Sequence, residues 1–124
     1  MSSFGVTDAV SSILTTAIDG LTDRQNVIAN NIANVDTPNF RAQSVDFEDS
    51  LSQAIAAGEY NDPSASPDVE ITSVPTDTPV GSNGNNVDLR KEEVAMIQTQ
   101  YSYQIMGRAL SDHFSLLQES MVMS

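Results

Sequence analysis

Cysteine and tryptophan are absent from this chain, histidine occurs once, and five lysines and arginines stand against seventeen acids in 124 residues. Without cysteine there are no disulfides, thiolate metal sites or thiol nucleophiles, so packing alone holds the fold. The formal charge of −12 disfavours nucleic acid, which needs clustered lysine and arginine to displace counterions. Anionic membrane surfaces are disfavoured by the same sign. Nowhere do eighteen apolar residues run together, so no membrane-inserting segment is expected. The opening Met1-Ser-Ser-Phe-Gly-Val-Thr-Asp8 lacks the basic and apolar regions of a cleavable secretory signal, which implies a cytosolic protein or another export route.

Apolar residues, 40% of the chain with only 6% aromatic, suit helix packing in one modest unit. Val10, Ile13, Leu14, Ala17, Ile18, Leu21, Ile28, Ile32 and Val35 follow helical spacing, predicting a helix over 6–35 that is about 45 Å long. The Asn34-Val-Asp-Thr-Pro38 stretch stops it, because a residue before proline is pushed out of helical geometry. The middle is punctuated by Pro38, Pro63, Pro67, Pro75 and Pro79, then Gly81 and Gly84. One short helix fits there, over 46–57, with acids in its first turn and Gly58 as its stop. Val69-Glu-Ile-Thr-Ser-Val74 reads as a short strand or an extended arm. Nine acids and no base lie between Arg41 and Arg90, so this insert is expected to be exposed and partly disordered when alone.

The expected architecture is mainly α. Residues 1–41 form an N-terminal helix and turn, 42–86 an acidic, irregular, partly extended insert with the short helix, and 87–124 a C-terminal helix. The two terminal helices are expected to pair as an antiparallel, coiled-coil-like unit. In the last helix, capped by Asp88, steps of 100° put Val94, Ile97, Tyr101 and Ile105 on one face. Met96, Tyr103, Met106, Leu110, Phe114, Leu117 and Met121 fall on nearly the opposite one. One antiparallel helix covers only one such face, and each large side chain left wet forgoes about 1.5 to 3 kcal/mol. The other face is therefore expected to be covered by neighbouring subunits or, alternatively, by the insert folding back.

Catalysis has little support. His113, the single histidine, directly precedes an apolar phenylalanine and has no partner in sequence that marks a catalytic pair. Asp46-Phe-Glu-Asp49 and Asn83-Gly-Asn-Asn-Val-Asp88 are rich in oxygen ligands but lack the central glycine and closing glutamate of a calcium loop. Gly81-Ser-Asn-Gly84 has no lysine after it to hold phosphate. No enzyme activity, cofactor or metal is expected. Gly107 lies mid-helix at a cost of about 1 kcal/mol relative to alanine, either as a tolerated defect or as a place where another backbone approaches.

Val27-Ile-Ala-Asn-Asn-Ile-Ala-Asn34 followed by Asp36-Thr-Pro-Asn-Phe40 resembles the N-terminal signature of the flagellar rod and hook axial proteins. Gly84-Asn-Asn-Val-Asp-Leu89, Tyr101-Ser-Tyr103 and Arg108-Ala-Leu-Ser-Asp-His-Phe-Ser-Leu-Leu117 resemble the proximal rod members of that family. Asparagine is unusual inside a helix; Asn30, Asn31 and Asn34 either face water in a frayed turn or hydrogen-bond to packed helices or to the returning chain. Where the family generally has Gly-Tyr this chain has Asn39-Phe40, and asparagine also tolerates a left-handed turn.

The resemblance implies a structural rod subunit that transmits torque, self-associates and contacts other rod proteins, the membrane ring and the export gate. It also implies passage through the flagellar type III gate without a cleavable signal and assembly in the periplasm, with the terminal helices lining a tube. The expected assembly surface comprises Ile28, Asn30, Asn31, Ile32 and Asn34 with Met96, Tyr103, Met106, Leu110, Phe114, Leu117 and Met121. Another axial protein, or a soluble helical export adaptor or partner-binding module, is the alternative.

Overall fold

The computed structural model describes residues 3–62 and 67–123; Pro63 and the first two residues, on which two of the sequence readings fall, lie outside the described residues. Helix α1 spans Ser3–Ala33 and helix α3 spans Leu89–Met123. Between them come strand β1 (Gln43–Asp46), helix α2 (Glu48–Ala56), a 3-10 turn (Glu59–Asn61) and strand β2 (Thr72–Pro75). Both long helices form where the apolar periodicity places them. At the end of α1 the Asn34 N–H is shared between the carbonyls of Asn30 and Asn31, and the Thr37 N–H turns back onto Asn34 O (3.0 Å). Pro38 follows, and Asn39 then takes the left-handed conformation (φ 64°). Gly58, also left-handed (φ 75°), terminates α2.

The terminal helices pack together in opposite directions. Ile28 near the end of α1 shares a groove with Glu92 and Ala95 near the start of α3, while Met106, further along α3, packs against the cluster that contains Ala17 and Leu21. Along α1 the buried side chains of Ala17, Leu21, Ile28 and Asn31 fall at intervals of four, seven and three, with buried Gly20 beside Leu21, a single stripe at helical period.

Contrary to what its charge had suggested, the insert is not exposed throughout. Ala42, Val45, Phe47, Ala54 and Tyr60 are all buried, and Val45 and Phe47 join Ala17 and Leu21 in the main apolar cluster, with Val27, Leu51, Ile71 and Met106 against it. All nine acids between Arg41 and Arg90 are nonetheless exposed. The segment alternates around the chain direction, apolar side chains inward and carboxylates outward, so a strong net charge and a buried core coexist in the same residues. The insert packs on α1 and leaves Val94, Ile97, Tyr101 and Ile105 of α3 exposed, so it does not fold back over that face.

Strands β1 and β2 pair antiparallel, with Gln43 opposite Pro75 and Asp46 opposite Thr72. Both the N–H and the C=O of Gln43 are bonded to Asn31 of α1. The Gln43–Pro75 pair is therefore one at which the strands exchange no hydrogen bonds, and the missing N–H of Pro75 breaks nothing. β1, which periodicity did not predict, owes its extended form to this contact with α1.

Candidate functional site: an asparagine clasp and an uncovered helix face

The turn after α1 and the turn before α3 are joined by asparagine side chains. Asn31, fully buried, donates from Nδ2 to Gln43 O (2.7 Å) and accepts the Gln43 N–H at Oδ1 (3.1 Å). Its amide reproduces the donor–acceptor pair of a neighbouring strand and closes the outer edge of β1. Asn85 sends both Nδ2 protons across to the first turn, to Asn34 O (2.8 Å) and Thr37 O (2.7 Å), while its Oδ1 accepts Val87 N–H (2.8 Å). Asn86 accepts the Ala42 N–H at Oδ1 (2.6 Å), and its backbone N–H donates to Phe40 O (3.3 Å).

Asn83 O accepts from Asn39 N–H (3.0 Å), and Asn83 Oδ1 accepts from Asn85 N–H (3.1 Å). The side-chain oxygens of Asn83, Asn85 and Asn86, which the sequence offered as cation ligands, are thus engaged by backbone N–H groups. Gly84 completes the clasp with a left-handed backbone (φ 81°), and any Cβ there would run into the Asn39 side chain. Asn39 in turn holds the positive φ anticipated for it.

A second latch joins α1 to the insert. The Arg24 guanidinium donates to Val45 O (2.8 Å), pairs with Glu48 (2.5 Å) and lies 5.0 Å from the centre of the Phe47 ring. Hydrogen bonding from Arg24 holds the Glu48 carboxyl below its ordinary value near 4.5, against the opposing effect of partial burial. A carboxylate with a depressed folded pKa stabilises above its unfolded pKa and loses that contribution as pH falls through the folded one. The stability gap between the wild type and Glu48→Gln is therefore expected to be present at neutral pH and to close below about pH 4. Because the carboxylate is largely exposed, the gap amounts to about 1 kcal/mol or less. Parallel thermal melts from neutral to acid pH measure it, and a gap that persists undiminished in acid would refute the role of the ion pair.

On α3 the outward face carries Val94 (50% exposed), Ile97 (55%), Tyr101 (65%) and Ile105 (63%). The fourteen residues 94–107 contain no Asp, Glu, Lys or Arg at all, in a chain of net charge −12. Gly107 ends this window, and among the described residues nothing beyond its chain neighbours and the helix's own backbone lies within 4 Å of where its Cβ would be.

The two segments joined by the clasp, the turn after α1 and the turn before α3, carry part of the sequence resemblance. The sequence profile described as "Flagella basal body rod protein" matches residues 14–41, which is α1 from Leu14 onward together with the first turn. The flagellar basal body rod protein FlgB of Bacillus subtilis is 37% identical over 101 residues, covering 76% of this chain and 78% of that protein. The chain belongs to the FlgB family of flagellar basal body rod proteins. FlgB of Borreliella burgdorferi is 32% identical over 113 residues (78% of this chain, 84% of that protein), and FlgB of Salmonella typhimurium 28% over 115 residues (77% and 83%).

In this FlgB-family subunit the residues expected to form the assembly surface divide into three groups. Ile28 and Asn31 are buried inside the subunit. Ile32, Asn34, Met96, Met106, Leu110 and Leu117 are half-buried, with Met106 on the chain's own core. Asn30, Tyr103, Phe114 and Met121 are exposed. The side of α3 turned toward α1 thus takes in Met96, Met106, Leu110 and Leu117, while Val94, Ile97, Tyr101 and Ile105 are left open. α1 alone does not decide this; Met106 packs against a cluster to which Val45 and Phe47 contribute beside Ala17 and Leu21. Periodicity detected both faces but carried no information about which one the insert would favour.

Proposed function

We propose that this FlgB-family chain, a structural subunit of the flagellar basal body rod and not an enzyme, packs into the rod through the open face of α3. The observation that carries this reading is the Val94, Ile97, Tyr101, Ile105 stripe, apolar, exposed and set in a charge-free window. Burying these four side chains against a neighbour is favourable by about 1.5 to 3 kcal/mol each before association costs. The absence of charge there lets strongly acidic subunits approach without like-charge repulsion at the contact. Gly107 fits the same reading as a place where a neighbouring helix comes close. Phe114 and Met121, exposed on nearly the opposite face near the end of α3, offer a separate apolar contact. Export without a cleavable signal, a periplasmic position, contacts with the membrane ring and export gate, and torque transmission through the paired terminal helices complete the proposal; they rest on the family resemblance.

The test is Ile105→Asp, alone and with Tyr101→Asp. Cells carrying either variant are expected to be non-motile and to lack rods in isolated basal bodies. The purified proteins are expected to retain wild-type helicity and melting temperature within about 2 °C, because both side chains are already in water. Motile cells with normal rods would refute the assignment of this face.

A further inference from the structure

Among the described residues Glu92 is the one carboxylate that folding takes out of water. It lies in the first turns of α3 and is 6% exposed. Its backbone N–H donates to Asp88 O (2.9 Å), yet among the described residues its carboxylate makes no hydrogen bond or ion pair of its own. A buried carboxylate without a partner is strongly disfavoured, and native proteins rarely keep one unless something arrives to satisfy it.

Glu92 lines a half-open cavity of about 460 Å³ between α1, the β1–β2 pair and α3. Ile28, Val45, Pro75 and Ala95 form its apolar walls. Two cations also border it, and neither forms an ion pair with Glu92. Arg24 is committed to Val45 O, Glu48 and the Phe47 ring. Lys91 lies 3.8 Å from Asp77. Aliphatic walls leading to an unanswered carboxylate suit an arginine or lysine side chain, whose stem packs on apolar surface while its head meets an anion.

We infer that this cavity is a socket for an arginine or lysine side chain presented by a partner polypeptide of different, basic sequence. Charge selects that occupant over a second copy. Two subunits of −12 each repel, whereas a basic partner is drawn in by the same field and supplies the missing counter-charge. By helical angle Glu92 sits on nearly the opposite side of α3 from the Val94-to-Ile105 stripe, so the socket does not depend on the assignment of that face.

The full-length, isotope-labelled protein is to be titrated with acetyl-Gly-Arg-Gly-amide, and with the citrulline peptide as the uncharged control, while amide resonances are followed. Saturable shifts at Val45, Thr76 and Ala95 are expected with the arginine peptide. Binding is expected to be roughly tenfold weaker or worse with citrulline, and likewise with the Glu92→Gln protein. Glu92→Gln is also expected to melt no lower than wild type, since it removes an unpaired buried charge. Equal binding by Glu92→Gln, or no saturable shift, would overturn the proposal. A lower melting temperature for Glu92→Gln would overturn it too, by showing that the carboxylate has a structural role within the subunit. So would sedimentation showing wild-type dimers that Glu92→Gln abolishes, because the occupant would then be a second copy.

Discussion

Replacing Asn31 with alanine is expected to destabilise the isolated subunit by about 2–5 kcal/mol. The side chain is fully buried and answers both backbone groups of Gln43. Truncation strands a donor and an acceptor away from water, at about 1–3 kcal/mol each, and β1 loses the contact that closes its edge. For a chain of this length the melting temperature falls by roughly 8–20 °C. Asn31→Asp keeps an acceptor for the Gln43 N–H but turns an oxygen toward Gln43 O, and burying its charge makes it the worse variant at neutral pH. Its deficit is expected to shrink in acid, where the carboxyl protonates and regains a donor. Urea and thermal melts at two pH values measure both effects. An Asn31→Ala protein melting within about 2 °C of wild type would show that the clasp is not what secures β1.

The second large effect is a reversal of sign between two helical glycines. Glycine to alanine inside a helix ordinarily stabilises by about 0.5–1 kcal/mol. At Gly107 that gain is expected in full, since nothing occupies the space. At Gly20 the added methyl would stand 2.5 Å from Cγ and Cδ1 of Phe47, a ring that is 4% exposed and covered by Arg24. Overpacking of this kind costs about 1–3 kcal/mol, so Gly20→Ala is expected to be destabilising despite the better helix former. Gly20→Val, larger and β-branched, is expected to be worse still. Denaturant midpoints of the two alanine variants provide the comparison, and a stabilised Gly20→Ala would mean that Phe47 is free to move aside.

Much of this was legible in the residues themselves. The long helices, the stop at Asn34 to Pro38 and the Asp88 cap, whose Oδ1 accepts Lys91 N–H (3.2 Å), follow from spacing and local chemistry within a few positions. The left-handed Asn39 is local in the same sense. β1 was not legible, because Gln43-Ser-Val-Asp46 has neither the length nor the alternation of a strand. What extends it are Asn31, twelve residues away, and Asn86 at Ala42, forty-four away. The partners of Asn85 are equally remote, 48 and 51 residues distant. Asn31, Asn85 and Asn86 could be noticed as unusual, but whether such a side chain meets water or a buried carbonyl depends on where the chain returns.

The amino-acid sequence alone determined that the chain is helical at both ends, has no cysteine, is strongly acidic, and carries one helix with two apolar faces. Those properties depend on composition and on neighbours within a turn or two. The tertiary structure alone decided which of the two faces is enclosed, that an acidic insert contributes to the core, and that asparagines distant in sequence bind the two connecting turns together. Each of these depends on which backbone groups folding removes from water and which side chains are near enough to replace it, and that is set by the path of the whole chain.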